Sequence, residues 1–576
     1  MGKKFDELLI HLGTGRWNIF YMVTLSYSYL LPSYHAVGGA FLAPIVSYTC
    51  LPPAHALTSD QIIIPTTATL NSTTKFECTY LVENTTSGEV LEETCTEWLF
   101  DNSTFTSTVT SQFQLACGRD NYRALYQALY MVGVFFGAPL SGLLSDKHGR
   151  KTLLVIGSAL FTALAIGSCW ANNIHVLLLA RFLLGMLQPS FTQTSYTLIM
   201  EVLEPTSRSQ SGVVITMPWS LGLATLGGFA YLVRDWRMLQ LTASLTCLPF
   251  FLVFLFIDES PRWLAVQGRY EEALLVLQKA ARWNKVSLPP THHVLQCLKE
   301  EHCSQVEEQC VEGSSGGGVA RTLTRYLHSF AILVRTRRIR TIACGCYLNY
   351  FAIAMVYFGL TISGGNYGID LFSFMTLSGV MEVPVCLVFP LVNRVGRKAI
   401  IICCSLFTGA CLLITPFLPA GIDWLVVTLV MLGKMAVNAA FVIMILFTTE
   451  LFPTEVRVRG LGTSLMVSRI ATMLAPIIVE YLVLVYSWLP SVVFGTATLV
   501  TGLVTFNLPE TLGVALSDTI SHLEKEHHQR VDDELKTPEY KENGAPVTII
   551  SYISTKKSCF VNTASASGTL DGGLVY

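Results

Sequence analysis

Charge is scarce in this sequence. Only 14% of its 576 residues are Asp, Glu, Lys or Arg, against 51% hydrophobic, and the mean hydropathy is +0.50. That balance excludes a soluble domain of this length. A phosphate-cradling glycine loop and a nucleophile–base constellation are also missing, so the sequence offers no enzyme active site and asks for no cofactor. Cys297, Cys303 and Cys310, with His292, His293 and His302, stand at spacings that suit no compact zinc site. A net charge of −2 gives no sign of a nucleic-acid partner. The first apolar run is interrupted by Pro32 and His35 and lacks a small-residue cleavage pattern, so it is expected to stay in the chain.

What the chain does have is apolar runs of roughly 20 residues, each able to cross about 30 Å of hydrocarbon. They begin near Trp17, Tyr122, Thr152, Ile174, Ser211, Leu239, Thr341, Leu371, Ala399, Leu425, Gly462 and Leu489. The chain also repeats itself. GLLSDKHGRK (Gly142–Lys151) and NRVGRK (Asn393–Lys398) end in Gly-Arg-Lys triplets 247 residues apart. Glu201–Arg208 (EVLEPTSR) and Glu450–Arg457 (ELFPTEVR) have their acids 249 apart, and Glu259 and Glu510, after the sixth and twelfth runs, lie 251 apart. These offsets predict an all-α membrane protein of twelve transmembrane helices in two six-helix pseudo-repeats, with a transport path between them.

The expected organisation is an N-terminus over 1–16, a first half over 17–257 and a central loop over 258–338. A second half covers 339–512 and a tail 513–576, disordered beyond Arg530. Basic residues flank alternate loops: Lys3, Lys4 and Arg16, then Lys147, Arg150 and Lys151, then Arg394, Arg397 and Lys398. The positive-inside rule puts those loops and both termini in the cytoplasm, with the plasma membrane as the expected setting. The segment 47–121 then lies outside. It carries sequons at Asn71, Asn84 and Asn102, and four cysteines, Cys50, Cys78, Cys95 and Cys117, which predict two disulfides with three possible pairings. The central loop continues from Glu259-Ser-Pro-Arg-Trp-Leu264 into an amphipathic stretch around Glu271–Trp283 and thins into a flexible tract at Ser314–Gly318.

Inner-face charges are candidates for a gate. Asp146 can accept from a neighbouring helix N-terminus and from arginines such as Arg208. Asp146, Arg150, Glu201, Arg208, Glu259, Arg262, Arg397, Glu450 and Arg457 are expected to latch the two halves together on the cytoplasmic side. The competing reading is that the basic clusters only fix topology.

Ionisable residues inside spans cost about 2.5–3.5 kcal/mol each to insert, so they point to function. Three stand out: Glu382 (SGVMEVPVC), Lys434 (LGKMAVNAAF) and Arg469 (MVSRIATMLAP). A carboxylate at Glu382 would attract an amine, and Arg469 offers a planar fork for a carboxylate. The competing reading pairs Glu382 internally with Lys434 or Arg469. Arg181 reads as structural. Tyr350 and Tyr357, seven apart, Phe358, Trp219, Tyr34 and His35 are candidate rings for holding a cation. Asn438 and Phe441 share a helix face with Lys434.

The repeated motifs, the cysteine- and sequon-bearing outer loop, ESPRWL, ELFPTEVR and LPETLG together resemble the organic cation, anion and carnitine transporters (solute carrier family 22) of the major facilitator superfamily, over Phe5–Gly513. Span seven reads NYFAIAMVYFGL, without the paired glutamines of sugar porters. In that family, cation carriers are acidic in span eight, whereas anion carriers are basic in span eleven. This chain has Glu382 and Arg469, and SRIATMLAPIIVEYL is most similar to the carnitine and zwitterion branch. The resemblance implies alternating-access transport of small organic cations or zwitterions such as carnitine, β-alanine or carcinine, with Na⁺ or H⁺ as possible coupling ions. An organic-anion exchanger, with Glu382 reduced to an internal partner of the basic pair, is the alternative. A non-transporting receptor or scaffold is a remote one.

Overall fold

Backbone in hydrocarbon satisfies its polar groups only within helices or closed barrels, and the apolar runs of this chain form helices. The computed structural model describes residues 3–51, 61–64, 78–84, 90–312, 332–333, 335–388, 392, 394–419, 421–486, 488–513, 520 and 524. Met1–Leu523 form one body, and Glu524–Tyr576 are a second unit of which Glu524 alone is described. The glycine-rich tract at 314–318, the sequon at Asn71 and the tail beyond Arg530 lie outside the described residues.

The N-terminal helices are α1 (Lys3–Leu12), α2 (Arg16–Ser26) and α3 (Leu30–Val37). After the outer segment come α4 (Asn121–His148), α5 (Arg150–Ser168), α6 (Ile174–Val202), α7 (Met217–Leu232) and α8 (Trp236–Leu245). The central segment contributes α9 (Pro261–Val266), α10 (Tyr270–Asn284) and α11 (Thr291–Glu312). The C-terminal set is α12 (Arg337–Ile362), α13 (Leu371–Glu382), α14 (Arg397–Ile414), α15 (Asp423–Leu451), α16 (Arg457–Val485) and α17 (Leu489–Thr505).

Among the described residues, eight helical stretches are long and apolar enough to cross a membrane. The other expected spans are short or broken, and proline explains the breaks. Pro32 follows a 3₁₀ turn, Tyr27–Tyr29, that separates α2 from α3. Pro384 cannot donate back to the preceding turn, so α13 stops after 12 residues at Glu382 and continues as 3₁₀ through Val388. That break lies at the buried carboxylate. Outward-facing side chains such as Leu143, Leu179, Val380 and Leu503 are exposed and apolar, as a lipid-facing surface requires.

The outer segment corrects the all-α expectation. It contains β1 (Tyr48–Leu51), β2 (Gln61–Ile64), β3 (Thr79–Asn84), β4 (Val90–Thr94) and β5 (Glu97–Phe100). β1 pairs antiparallel with β5, and β2-β3-β4 form a small antiparallel sheet. β-Branched and aromatic residues in an aqueous segment favour strands over helix. Of the three possible disulfide pairings, the chain forms Cys50–Cys95 and Cys78–Cys117, with Cα–Cα separations of 5.8 and 5.7 Å. Cys50–Cys95 staples β1 to the turn between β4 and β5. Asn84 closes β3, and Asn102 is exposed just beyond β5.

The sequence repeat is also a structural repeat. Gly149 and Gly396 have φ of 97° and 106°, a conformation that suits glycine. In each half an acid from the far end of the half fills the space where a side chain would stand. Glu259 accepts from Arg150 N at 2.8 Å and Lys151 N at 3.0 Å, and Glu510 accepts from Arg397 N at 3.1 Å. Both carboxylates therefore sit on helix N-termini. Arg150 then pairs with Glu201 at 3.0 Å, and Arg397 with Glu450 at 3.0 Å.

α1 and α9–α11 pack as a cap on the first half, with Phe5, Leu8, Leu9 and Leu12 buried. The Arg262 guanidinium pairs with Glu301 at 2.7 Å and lies 5.7 Å from the Phe5 ring. With Glu301 only 1% exposed, removing its cation should cost about 3–5 kcal/mol. Arg262→Met is therefore expected to lower the melting temperature of the purified protein. An unchanged melt would show that the cap is not fastened there.

Candidate functional site

The site forms where α7 of the first half meets α13 of the second. Small residues let these helices approach. A side chain at Gly379 would strike the Ser220 carbonyl and Ala224 backbone, and one at Gly227 would strike Thr376 and the Phe372 carbonyl. Glu382 ends α13 at 4% exposure. Its carboxylate accepts from Tyr357 Oη at 2.7 Å and Ser220 Oγ at 2.9 Å, and pairs with Lys434 Nζ at 3.2 Å. Lys434, 1% exposed, also donates to Ser378 and lies 5.2 Å from the Tyr357 ring centroid. Trp219 Nε1 donates to Tyr357 Oη at 2.9 Å, and the Trp219 and Phe358 rings meet edge-on at 6.3 Å. One carboxylate, one ammonium and their donors thus form a closed, charge-balanced network across the two halves.

Arg469 behaves differently. It is half-buried on α16, and among the described residues it forms no ion pair. The groups within its electrostatic reach are the phenols of Tyr29 and Tyr130, on the other half. Balancing the network leaves one uncompensated positive charge at this interface.

The structure brings together Glu382, Lys434, Tyr357, Trp219 and Phe358. Asn438 and Phe441 are half-buried on the Lys434 helix. Tyr350 is fully buried and packs edge-on against Phe441 at 6.1 Å. It does not join the carboxylate network. His35, 1% exposed, packs against Phe161 inside the first half, away from the network. Tyr34 bonds to Thr225 at 2.9 Å. Ser220 and Ser378 were not singled out in the sequence. Only their placement beside Glu382 and Lys434 marks them, and serines are too common in spans to signal it.

The inner-face charges expected to form a gate find partners within their own half in this structure. Asp146 is exposed and pairs with Arg150 at 3.0 Å, while Arg208 pairs with Asp6 at 3.0 Å and Arg457 donates to the Phe452 carbonyl at 3.4 Å. Glu201 and Glu259 bond within the first half and Glu450 within the second, because helix N-termini and arginines of the same half lie nearest. These charges tie helices within each half. An ion pair that joins the halves lies at the opposite end. Arg123, on the first turn of α4, pairs with Glu480 near the end of α16, and Tyr481 Oη donates to Asn121 at 2.9 Å. Phe41 stacks on Phe372 at the same end, at 5.6 Å. Glu480→Gln should loosen this clasp. A cysteine placed at Ser220 should then react several-fold faster with an impermeant maleimide from outside, and an unchanged rate would show that the clasp holds nothing.

Residues 57–520 match the family model described as "Sugar (and other) transporter". The chain is 30% identical to the organic cation transporter-like protein of Drosophila melanogaster, covering 90% of this chain and 92% of that one. It is 31% identical to solute carrier family 22 member 6 of Mus musculus, covering 90% and 94%, and 32% identical to the human organic cation/carnitine transporter 2, covering 76% and 75%. Its fold matches the inward-open conformation of the xylose transporter XylE from E. coli with a TM-score of 0.56, at 16% identity, over 88% of this chain and 99% of that one.

Proposed function

This chain belongs to solute carrier family 22, the organic cation and anion transporters of the major facilitator superfamily, and from that premise we propose that its solutes carry a carboxylate that Arg469 holds. The family consists of multi-pass membrane transporters of small organic solutes, not enzymes. The observation that supports a carboxylate is the charge balance: Glu382 is occupied by Lys434, Tyr357 and Ser220, and Arg469 is left over. A planar guanidinium facing phenols from the other half gives a carboxylate two parallel donors and an aromatic floor. Simple cations lose the attraction that Glu382 promised in the sequence.

Anions and zwitterions share the carboxylate. Zwitterions such as carnitine or β-alanine form the second reading, favoured by the rings of Trp219, Tyr357 and Phe358 around Glu382. There the solute ammonium displaces Lys434 from Glu382. The chain crosses a plasma membrane twelve times with both termini inside, and Asn71, Asn84 and Asn102 are glycosylated. The halves rock about the site, opening the outer side when the Arg123–Glu480 clasp parts. A zwitterion gains almost nothing from membrane potential, so concentrating it needs Na⁺ or H⁺.

Uptake of labelled p-aminohippurate, β-alanine, carnitine, carcinine and tetraethylammonium, each with and without external Na⁺, tests the reading. The carboxylates should enter and the two cations should not. Preferential uptake of tetraethylammonium would contradict it.

A further inference from the structure

A cleft opens on the outside of the second half, between the start of α12 and the end of α17. It encloses about 320 Å³, at the lower end of the range for small-ligand pockets. Its two walls have a fixed antiparallel register. Thr505 Oγ1 donates to Asn349 Oδ1 at 3.1 Å, and one turn nearer the membrane surface a side chain at Gly345 would strike Leu508.

The cleft changes character along its length. Arg340 and Thr341 line one end and Leu348 the other, about 12 Å deeper at 1.5 Å per helical residue. Asn507 and then Val504 line the facing wall in the same order, polar before apolar. Arg340 is exposed and forms no ion pair among the described residues, and no acid lines the cleft. Lys398 adds a second positive charge nearby, for its Nζ donates at 2.8 Å to the Phe506 carbonyl, which is bonded to the Asn507 nitrogen. Leu348 is 51% exposed, and the neighbouring Leu503 is apolar and exposed to lipid as well. A cationic mouth thus leads into an apolar channel along two apolar helices.

We propose that this cleft binds one anionic phospholipid, with its phosphate at Arg340 and the upper part of an acyl chain along Leu348 and Val504. A guanidinium holds a phosphate through parallel donors, and basic pockets between spans lodge anionic headgroups. Thr341 Oγ1 already donates to the Arg337 carbonyl at 3.0 Å, so its lone pairs are free to accept from the amine of a serine headgroup. A soluble anion would satisfy Arg340 and leave the apolar end unfilled, whereas a neutral lipid would bring no net charge to the guanidinium. This end of the bundle also carries Gly396–Lys398, on the face proposed as cytoplasmic, where the leaflet is rich in anionic lipid. Neither Glu382 nor Arg469 lines the cleft, so its occupant is independent of the solute carried.

Native mass spectrometry of the full chain, released from micelles doped with equal amounts of dioleoylphosphatidylserine and dioleoylphosphatidylcholine, reads the site. One phosphatidylserine per chain should be retained about fivefold over phosphatidylcholine, the effect of one basic residue at the lipid surface. Arg340→Gln should erase that preference, and as an exposed replacement near a helix end it should leave the fold intact. Lys147→Gln removes an exposed charge of the first half and should keep the preference. Glycerophosphoserine at the same concentration should not displace the lipid. Equal retention of the two lipids by the unmodified chain would overturn the proposal, as would a preference that survives Arg340→Gln or falls as far in Lys147→Gln. Displacement by glycerophosphoserine would overturn it by assigning the cleft to a soluble phosphate, and a dimer lost in Arg340→Gln would assign it to a second copy of the chain.

Discussion

Arg469→Ala is expected to cut uptake of p-aminohippurate or β-alanine by roughly 30-fold or more while leaving the protein at the cell surface. Truncating one member of a desolvated charge pair costs about 2–5 kcal/mol, and each 1.4 kcal/mol is about tenfold in affinity. The loss should fall on transport because Arg469 has no ion-pair partner among the described residues to leave behind. Arg469→Lys should recover only part of the activity, since an ammonium keeps the charge but not the parallel fork. Surface biotinylation alongside uptake separates lost binding from lost folding. Full activity in the alanine variant would remove Arg469 from the solute site.

Glu382→Gln should do the opposite and damage the protein first. It leaves Lys434 charged, 1% exposed and facing a neutral amide, at a cost of about 3–5 kcal/mol. That is comparable with the whole stability of many domains. Less protein should reach the surface. The Glu382→Gln, Lys434→Met double variant removes both charges and should restore surface expression together with carboxylate uptake. This result also separates anion from zwitterion solutes. A zwitterion needs Glu382 for its ammonium, so its uptake should stay lost in the double variant, whereas p-aminohippurate uptake should return.

The elements that sequence made legible are those governed by periodic or repeated chemistry. Helix positions followed from apolar runs, and the repeat followed from the paired Gly-Arg-Lys and acidic motifs, whose carboxylates do stand at equivalent helix N-termini. Glu382 and Lys434 were conspicuous because charge in a span is rare. Their partners were not: Ser220, Ser378 and the orientation of Tyr357 depend on how α7, α12, α13 and α15 pack, which no local pattern encodes. The partners of the inner-face charges were illegible for the same reason. Arg150 and Arg397 each have a same-half acid at 3.0 Å. Arg123 and Glu480, 357 residues apart, pair across the halves, and no local pattern announced it. The strands of the outer segment escaped because short β-branched stretches between cysteines give a weak signal next to helices of nearly 30 residues.

The most direct measurement is uptake by the unmodified chain of a matched pair that differs only in the carboxylate: labelled β-alanine against labelled β-alaninamide. Recognition by Arg469 predicts saturable uptake of the acid and at least a tenfold weaker uptake of the amide, since one lost charge-assisted contact is worth about 1.5–3 kcal/mol. Equal uptake of the two, or preference for the amide, would contradict it and return the solute to Glu382.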